Sequence, residues 1–328
     1  LGAWHHHGGN VGAARRRFPD APAPWLDLST GINPIPWDAA RAGPIDWSAL
    51  PDAQALARLE AEAAQHFSVA AECVCAVPGT EIGLRLLDTL ALPAPLRFVA
   101  PSYGTYGEIA AAGRPIVADV LEHEAEQGGT LLLARPNNPD GETLAEARLH
   151  EIAGRLEAKG GVLVVDEAFA DTLEESTVVA RLPGRVIALR SFGKFFGLAG
   201  LRLGFVIAEA TLLAPLRRQL GSWPVNSAAL TIGLAAYRDQ PWIGATRLRL
   251  RRSAARLDVL LRRRGLNPVG ECPLFRLVST PDAGALFERL GGQGILTRPF
   301  AYAPHWLRIG LPGNDAGFDR LDRALADG

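Results

Sequence analysis

Only two side chains in the 328-residue chain carry a primary amine, Lys159 and Lys194, although Lys and Arg together number 34. Chemistry that needs such an amine therefore has two candidates, and Lys194 is the better placed. It stands in SFGKFFGLAGLRLGF, residues 191–205, directly after the apolar run VIALR. A lysine just past a strand end, in a Gly-rich stretch flanked by Phe, suits a crevice better than a solvated surface. Desolvation and neighbouring cations lower the pKa of an amine, and the usual use of an amine tuned in this way is Schiff-base formation with a carbonyl.

Other groups fall at comparable places. Asp166 closes the run VLVVD and Asn138 follows TLLLA, so both are expected, with Lys194, at carboxyl ends of parallel strands where a cleft forms. A pyridine cofactor needs a carboxylate to keep its ring nitrogen protonated, and its phenolic oxygen needs a donor; Asp166 and the Asn138 amide suit these tasks. AVPGTEIGLRLLDTL reads as a strand, then Gly79, Thr80 and Glu81 opening a helix whose N–H groups and Thr80 hydroxyl could face a phosphate. Ser191 and Arg202 would complete that cradle. Tyr103, in APSYGTY, offers a ring to stack on the cofactor. Singly, each residue has a plainer reading, such as a helix cap, a salt bridge or a core tyrosine; their joint placement points to pyridoxal 5′-phosphate, with Lys194 and Asp166 as the catalytic pair.

The elements that must position these groups are legible. Between about residues 70 and 210, CVCAV, RFVA, TLLLA, VLVVD, VIAL and GFVIA alternate with Ala- and Leu-rich helical stretches, the pattern of an α/β fold with a mostly parallel sheet covered on both faces. A long helical region is expected from WPVNS to Gly265, followed by a smaller α/β domain. The expected division is an arm over 1–35, a large domain over 36–233 and a small one over 234–328.

A formal net charge of -1 gives no electrostatic footprint for nucleic acid or an anionic membrane. The Arg251, Arg252 and Arg262–Arg264 clusters read as a solvated helix face. No apolar run approaches a membrane span, and LGAWHHHGGN lacks the form of a secretory signal, so a cytoplasmic enzyme is expected. Cys73, Cys75 and Cys272 fit neither a disulfide framework nor a metal site and are expected to be core thiols.

PGTE, PSYGTY, NNPDG, VVDEAF and SFGKFFGLAGLRLG, in that order, resemble the landmarks of the aspartate-aminotransferase-like, fold-type I family of PLP enzymes. The resemblance implies the roles given above to Lys194, Asp166, Asn138, Tyr103, Gly79, Thr80, Ser191 and Arg202, and a homodimer. Two departures are visible: Phe169 stands where the family often has a Tyr, and Leu50-Pro51-Asp52 replaces a YPD tripeptide. HGGN, His7 to Asn10, with LDLSTGINPIP, resembles the branch that decarboxylates threonine O-phosphate for cobalamin assembly. That implies a phosphorylated amino acid as substrate, bound by His7, Gly8, Gly9, Asn10 and Asn138, with Arg308 for its carboxylate and Arg298 for a second anion. The alternatives are an aminotransferase of the histidinol-phosphate type and a PLP-fold binding module without turnover.

Overall fold

The computed structural model describes residues 8–109, 113–174 and 177–326. In chain order its strands are β1 (Leu26–Asp27), β2 (Val74–Val77), β3 (Leu96–Val99), β4 (Arg114–Ile116), β5 (Thr130–Ala134), β6 (Val162–Asp166) and β7 (Arg185–Ser191). There follow β8 (Gly204–Ile207), β9 (Asn267–Val269), β10 (Phe275–Ser279), β11 (Ile295–Leu296), β12 (Arg298–Phe300) and β13 (Ala303–Gly310). The fold is the expected α/β one, and it separates into two compact units. One comprises Pro36–Asn138 and Thr143–Ala245. The other takes the segment up to Ile35, the stretch Pro139–Glu142 and the described residues from Thr246 on.

In the first unit seven strands run in the order β2-β8-β7-β6-β5-β3-β4. β8 is antiparallel to both of its neighbours, and the remaining pairs are parallel. β5 and β6 are buried at every position, which is why TLLLA and VLVVD read as unbroken apolar runs instead of alternating ones. The edge strand β4, RPI, escaped the sequence reading. It is three residues long and carries Pro115, which only an edge position tolerates.

The region expected as one long helix is two, Ser227–Arg238 and Gln240–Arg263. Pro241, which has no N–H to continue the first helix, stands at the start of the second, and the Asp239 carboxylate between them accepts the Trp37 indole N–H at 2.9 Å and the Trp242 N–H at 3.3 Å. Arg251, Arg252, Arg262 and Arg263 are exposed, as a solvated face requires.

A short helix, Phe192–Phe195, follows β7 and carries Lys194. Phe192, Phe195 and Phe196 are fully buried around it. Phe192 stacks on Phe196 with ring centroids 4.3 Å apart, and Phe196 stacks on Trp242 at 5.6 Å. Three apolar anchors thus hold one turn of helix that would be far too short to persist alone.

Directly after Asp166, a buried ionic network secures the ends of β6 and β7. Arg190 Nε lies 3.1 Å from Glu167 Oε2, and Arg190 Nη1 lies 3.1 Å from Asp171 Oδ1; all three side chains are 1% exposed. Glu167 also accepts the Thr177 hydroxyl at 2.5 Å and the Val178 N–H at 2.9 Å, and His66 Nε2 sits 3.1 Å from Asp171 Oδ1. The Arg190 guanidinium further covers the Phe67 ring at 5.1 Å.

The second unit holds a four-stranded antiparallel sheet, β12-β13-β10-β9. Its N-terminal stretch, expected as an arm, adds β1 in parallel to β11. Backbone bonds from Leu26 N to Gly294 O (2.9 Å), Leu28 N to Leu296 O (2.7 Å) and Gly310 N to Leu28 O (2.7 Å) fasten it. No helix among the described residues is long and apolar enough to cross a membrane. Cys75 and Cys272 are buried free thiols, both pushed up to about 12 by burial, and Cys73 is also free.

Replacing Arg190 with Met would strand two buried carboxylates. The expected loss is about 3–5 kcal/mol of stability, read as a lower urea midpoint of the first unit's transition.

Candidate active site

Asp166 ends β6, 7% exposed. Its Oδ1 accepts the Ala168 N–H at 2.9 Å and its Oδ2 accepts the Tyr106 hydroxyl at 2.8 Å. Burial pushes the carboxyl up, while the Tyr106 hydroxyl, the Ala168 N–H and the Lys194 charge pull it back toward the ionised form. Lys194 is partly buried, with Nζ 5.9 Å from the centroid of Phe169. Asn138, 8% exposed, follows β5 on the neighbouring strand. Tyr106 was missed by the sequence reading. Its signal was a second Tyr three residues after Tyr103, which a turn of the helix Thr105–Ile109 brings beneath the sheet's edge.

Gly79 precedes the helix Thr80–Arg85 with φ 88° and ψ 150°, backbone that side chains rarely adopt. A Cβ there would lie 2.2 Å from Arg202 Nη2, so the absent side chain is what lets the guanidinium rest over the helix start. Arg202 is itself left-handed, with φ 55°, and donates from Nη1 to Ala199 O at 3.2 Å. Ser191, 7% exposed, precedes the Lys194 helix, and its hydroxyl makes no capping bond there. The Gly79 N–H is taken by Val77 O at 2.7 Å, so Arg202 and the amides of Thr80 and Glu81 supply a positive cradle.

The Glu81 side chain has a different job from the expected cofactor contact. Its carboxylate accepts from Tyr103 Oη at 3.0 Å, from Thr105 Oγ1 at 3.0 Å and from Arg85 Nε at 2.8 Å. It therefore steers the Tyr103 ring. Burial and the Glu81 charge push the Tyr103 phenol up to about 12, so it remains a neutral donor. Tyr103 and Tyr106 meet edge to face at 6.0 Å.

In the second unit Arg298 and Arg308 are directly opposite on the β12–β13 ladder, 7% and 3% exposed. Like charges so paired repel. Burial and the neighbouring Arg298 push Arg308 down to about 9, against the opposing pull of Cys272, Tyr302 and Asp27. Arg308 covers the Phe275 ring at 4.8 Å and Arg298 the Phe300 ring at 5.2 Å. Arg308 Nη2 donates to Ser29 O at 2.8 Å. Gly9 N donates to Ser29 Oγ at 2.8 Å, and a Cβ on Gly8 would stand 2.3 Å from Ser29 O. The glycines of HGGN let the chain lie flat on the segment that braces Arg308. Asn10, expected to meet substrate, instead caps the helix Val11–Arg17, its Oδ1 accepting the Ala13 N–H at 3.1 Å. His7 lies outside the described residues. Of the tripeptide at 50–52, Leu50 is 67% exposed, and Asp52 caps the helix Ala53–Phe67 through Gln54 N and Ala55 N.

An amine, a buried carboxylate braced as an anion, a steered aromatic ring and a cationic cradle gather at adjacent strand ends of one unit. They match in turn the aldehyde, pyridine nitrogen, ring face and phosphate of PLP, so the residues present fit that cofactor.

Comparison with known proteins agrees with this geometry. A protein of Sinorhizobium named threonine-phosphate decarboxylase is 43% identical over 327 residues, covering 98% of this chain and 97% of its own. One of the same name from Pseudomonas aeruginosa is 38% identical over 325 residues, 97% and 96% of the two chains. Among solved structures, histidinol-phosphate aminotransferase from Sinorhizobium meliloti in complex with pyridoxal-5′-phosphate superposes with a TM-score of 0.82 at 21% identity, over 97% of this chain and 94% of that one. Residues 39–325 match the family model described as aminotransferase class I and II. The chain belongs to the class I and II aminotransferase family.

Proposed function

We propose that this chain removes the carboxylate of L-threonine O-3-phosphate as carbon dioxide, leaving (R)-1-aminopropan-2-yl phosphate for cobalamin assembly. The observation that carries this reading is the pair of relatives at 43% and 38% identity, each matched over nearly its whole length and each named for that activity. The buried arginine pair supports it, since a substrate with both a carboxylate and a phosphate would relieve two stacked positive charges at once.

When bound, PLP supplies a protonated heterocycle that takes up the electron pair left by a breaking bond at the α-carbon. Asp166 keeps the ring nitrogen protonated, Asn138 donates to the ring oxygen and Tyr103 packs on the ring face. Arg202, Thr80, Ser191 and the Thr80 and Glu81 amides would take the phosphate, with Gly79 leaving room for Arg202, and Lys194 would hold the aldehyde carbon. Arg308 is assigned to the substrate carboxylate. Arg298, with the Gly8 amide and His7, is assigned to its phosphate. Anchoring both anions would fix which bond at the α-carbon is presented for cleavage, and so select loss of the carboxylate over loss of a proton. With carbon dioxide lost, Cα needs a proton, for which Lys194 Nζ, once freed from the aldehyde carbon, or a site water would be the acid.

The same reading takes the enzyme to be a cytoplasmic homodimer. The large apolar side chains Trp47, Leu50 and Trp223, 76%, 67% and 57% exposed, support a covered surface on the first unit.

Incubating the holoenzyme with O-phosphothreonine should release one carbon dioxide per amine product with no 2-oxoacid present. Dependence on 2-oxoglutarate, or turnover of histidinol phosphate in its place, would overturn the assignment in favour of transamination. Lys194→Ala should lose the visible absorbance of the bound cofactor and about 10²–10⁴-fold in carbon dioxide release. Arg298→Gln should weaken O-phosphothreonine binding roughly ten- to hundred-fold. Because it also removes a buried like-charge contact, its ligand-free melting temperature should be no lower than wild type, and the upward shift given by O-phosphothreonine should shrink.

A further inference from the structure

The carboxylate at the end of β6 is braced by a residue that the cofactor reading leaves without a role. Tyr106 is fully buried in the apolar core beneath the sheet, among Leu84, Leu132, Val164 and Leu189, and its one polar atom is aimed at Asp166 Oδ2 at 2.8 Å. A phenol in such surroundings is costly unless it is satisfied, so its placement against a carboxylate needs a reason. The opposite oxygen of Asp166 is held by the Ala168 N–H at 2.9 Å. With one donor on each oxygen the carboxylate plane cannot rotate, and each oxygen keeps a lone pair for a further partner. The charged and titratable neighbours of this pair are Lys194, Glu167 and Tyr103. Glu167 is turned toward Arg190 and Tyr103 toward Glu81, so within this group only Lys194 and Tyr106 favour the Asp166 anion. The neighbouring Ser102 hydroxyl donates to Asn137 Oδ1 at 2.8 Å, and the Tyr106 proton is committed to Asp166.

We propose that Tyr106 is a positioning residue for the cofactor: its hydroxyl fixes the plane of Asp166 and keeps it an oriented anion, so that it meets the pyridine nitrogen in one geometry. This rests on the PLP reading of Lys194 and Asp166. The hydroxyl acts only through Asp166, so its importance should vanish once Asp166 carries no charge. When Lys194 condenses with the aldehyde its own charge is redistributed, and Tyr106 then bears a larger share of holding the carboxylate ionised.

The test is a double-mutant cycle on PLP affinity, measured by titrating ligand-free protein with PLP and following absorbance and quenching of tryptophan fluorescence. Tyr106→Phe should bind PLP about ten- to hundred-fold more weakly than wild type, the range for a lost hydrogen bond to a charged group. In the Asp166→Asn background the same Tyr106→Phe change should alter affinity by less than about two-fold. A residue that merely fills the core would cost the same in both backgrounds, and that result would overturn the proposal, as would unchanged affinity in the single variant. In turnover, Tyr106→Phe should lower kcat by more than it raises KM for O-phosphothreonine, because the hydroxyl acts on the ring and leaves the substrate anions untouched. Should Tyr106→Phe not fold, Tyr106→Met is measured in the same cycle: a loss of PLP affinity confined to the Asp166 background supports the proposal, and an equal loss in both backgrounds overturns it. Failure of wild-type protein itself to bind PLP would instead sink the cofactor reading, so the two failures are distinguishable.

Discussion

A negative charge at the end of a fully buried strand is the constraint around which the first unit is arranged. Asp166 sits where desolvation favours the neutral acid, yet a pyridine nitrogen requires the anion. The fold resolves this with local donors. A backbone N–H two residues on, a phenol from the turn after β3 and an ammonium from the turn after β7 all converge on one carboxylate. That convergence is possible because β3, β5, β6 and β7 are parallel and adjacent, so the segments that leave their carboxyl ends arise on one side of the sheet.

The two units treat buried charge in opposite ways. Around Arg190 the guanidinium lies against two carboxylates, with the His66 ring on one of them, and the network ties the end of β7 to the segment following β6. Around Arg308 two guanidiniums are set side by side, cushioned on aromatic faces and a backbone carbonyl. The first arrangement is complete without ligand and contributes to stability. The second sets two like charges on one ladder rung.

Glu81 and Asn10 show how a side chain's partners are set by the fold and not by its neighbours in sequence. The Glu81 amide belongs to the first turn after Gly79, while its carboxylate faces Tyr103, Thr105 and Arg85. Asn10 follows the glycines that lie on Ser29, but its amide oxygen starts a helix. In both cases the backbone position was legible and the side-chain direction was not, because direction depends on partners brought in from elsewhere in the chain.

By itself the sequence determined which groups could do chemistry and roughly where they stand. A chain with two lysines leaves little choice of amine, and unbroken apolar runs ending in Asp166, Asn138 and the Lys194 turn mark buried parallel strands, since only a sheet covered on both faces calls for apolar residues at successive positions. Local chemistry also marked the Gly79 turn and the solvated arginine face. It did not reveal β4, whose three residues and proline carry too weak a periodic signal, whereas the break at Asp239 has a local mark in Pro241. Tertiary structure alone decided that Tyr106 rather than Tyr103 bonds Asp166, that Glu81 steers a ring, that Arg190 closes a buried network and that Arg298 and Arg308 share a ladder rung. Each of these rests on a contact between residues far apart in the chain. The partner and its distance are set by strand order and register, which composition and spacing do not encode.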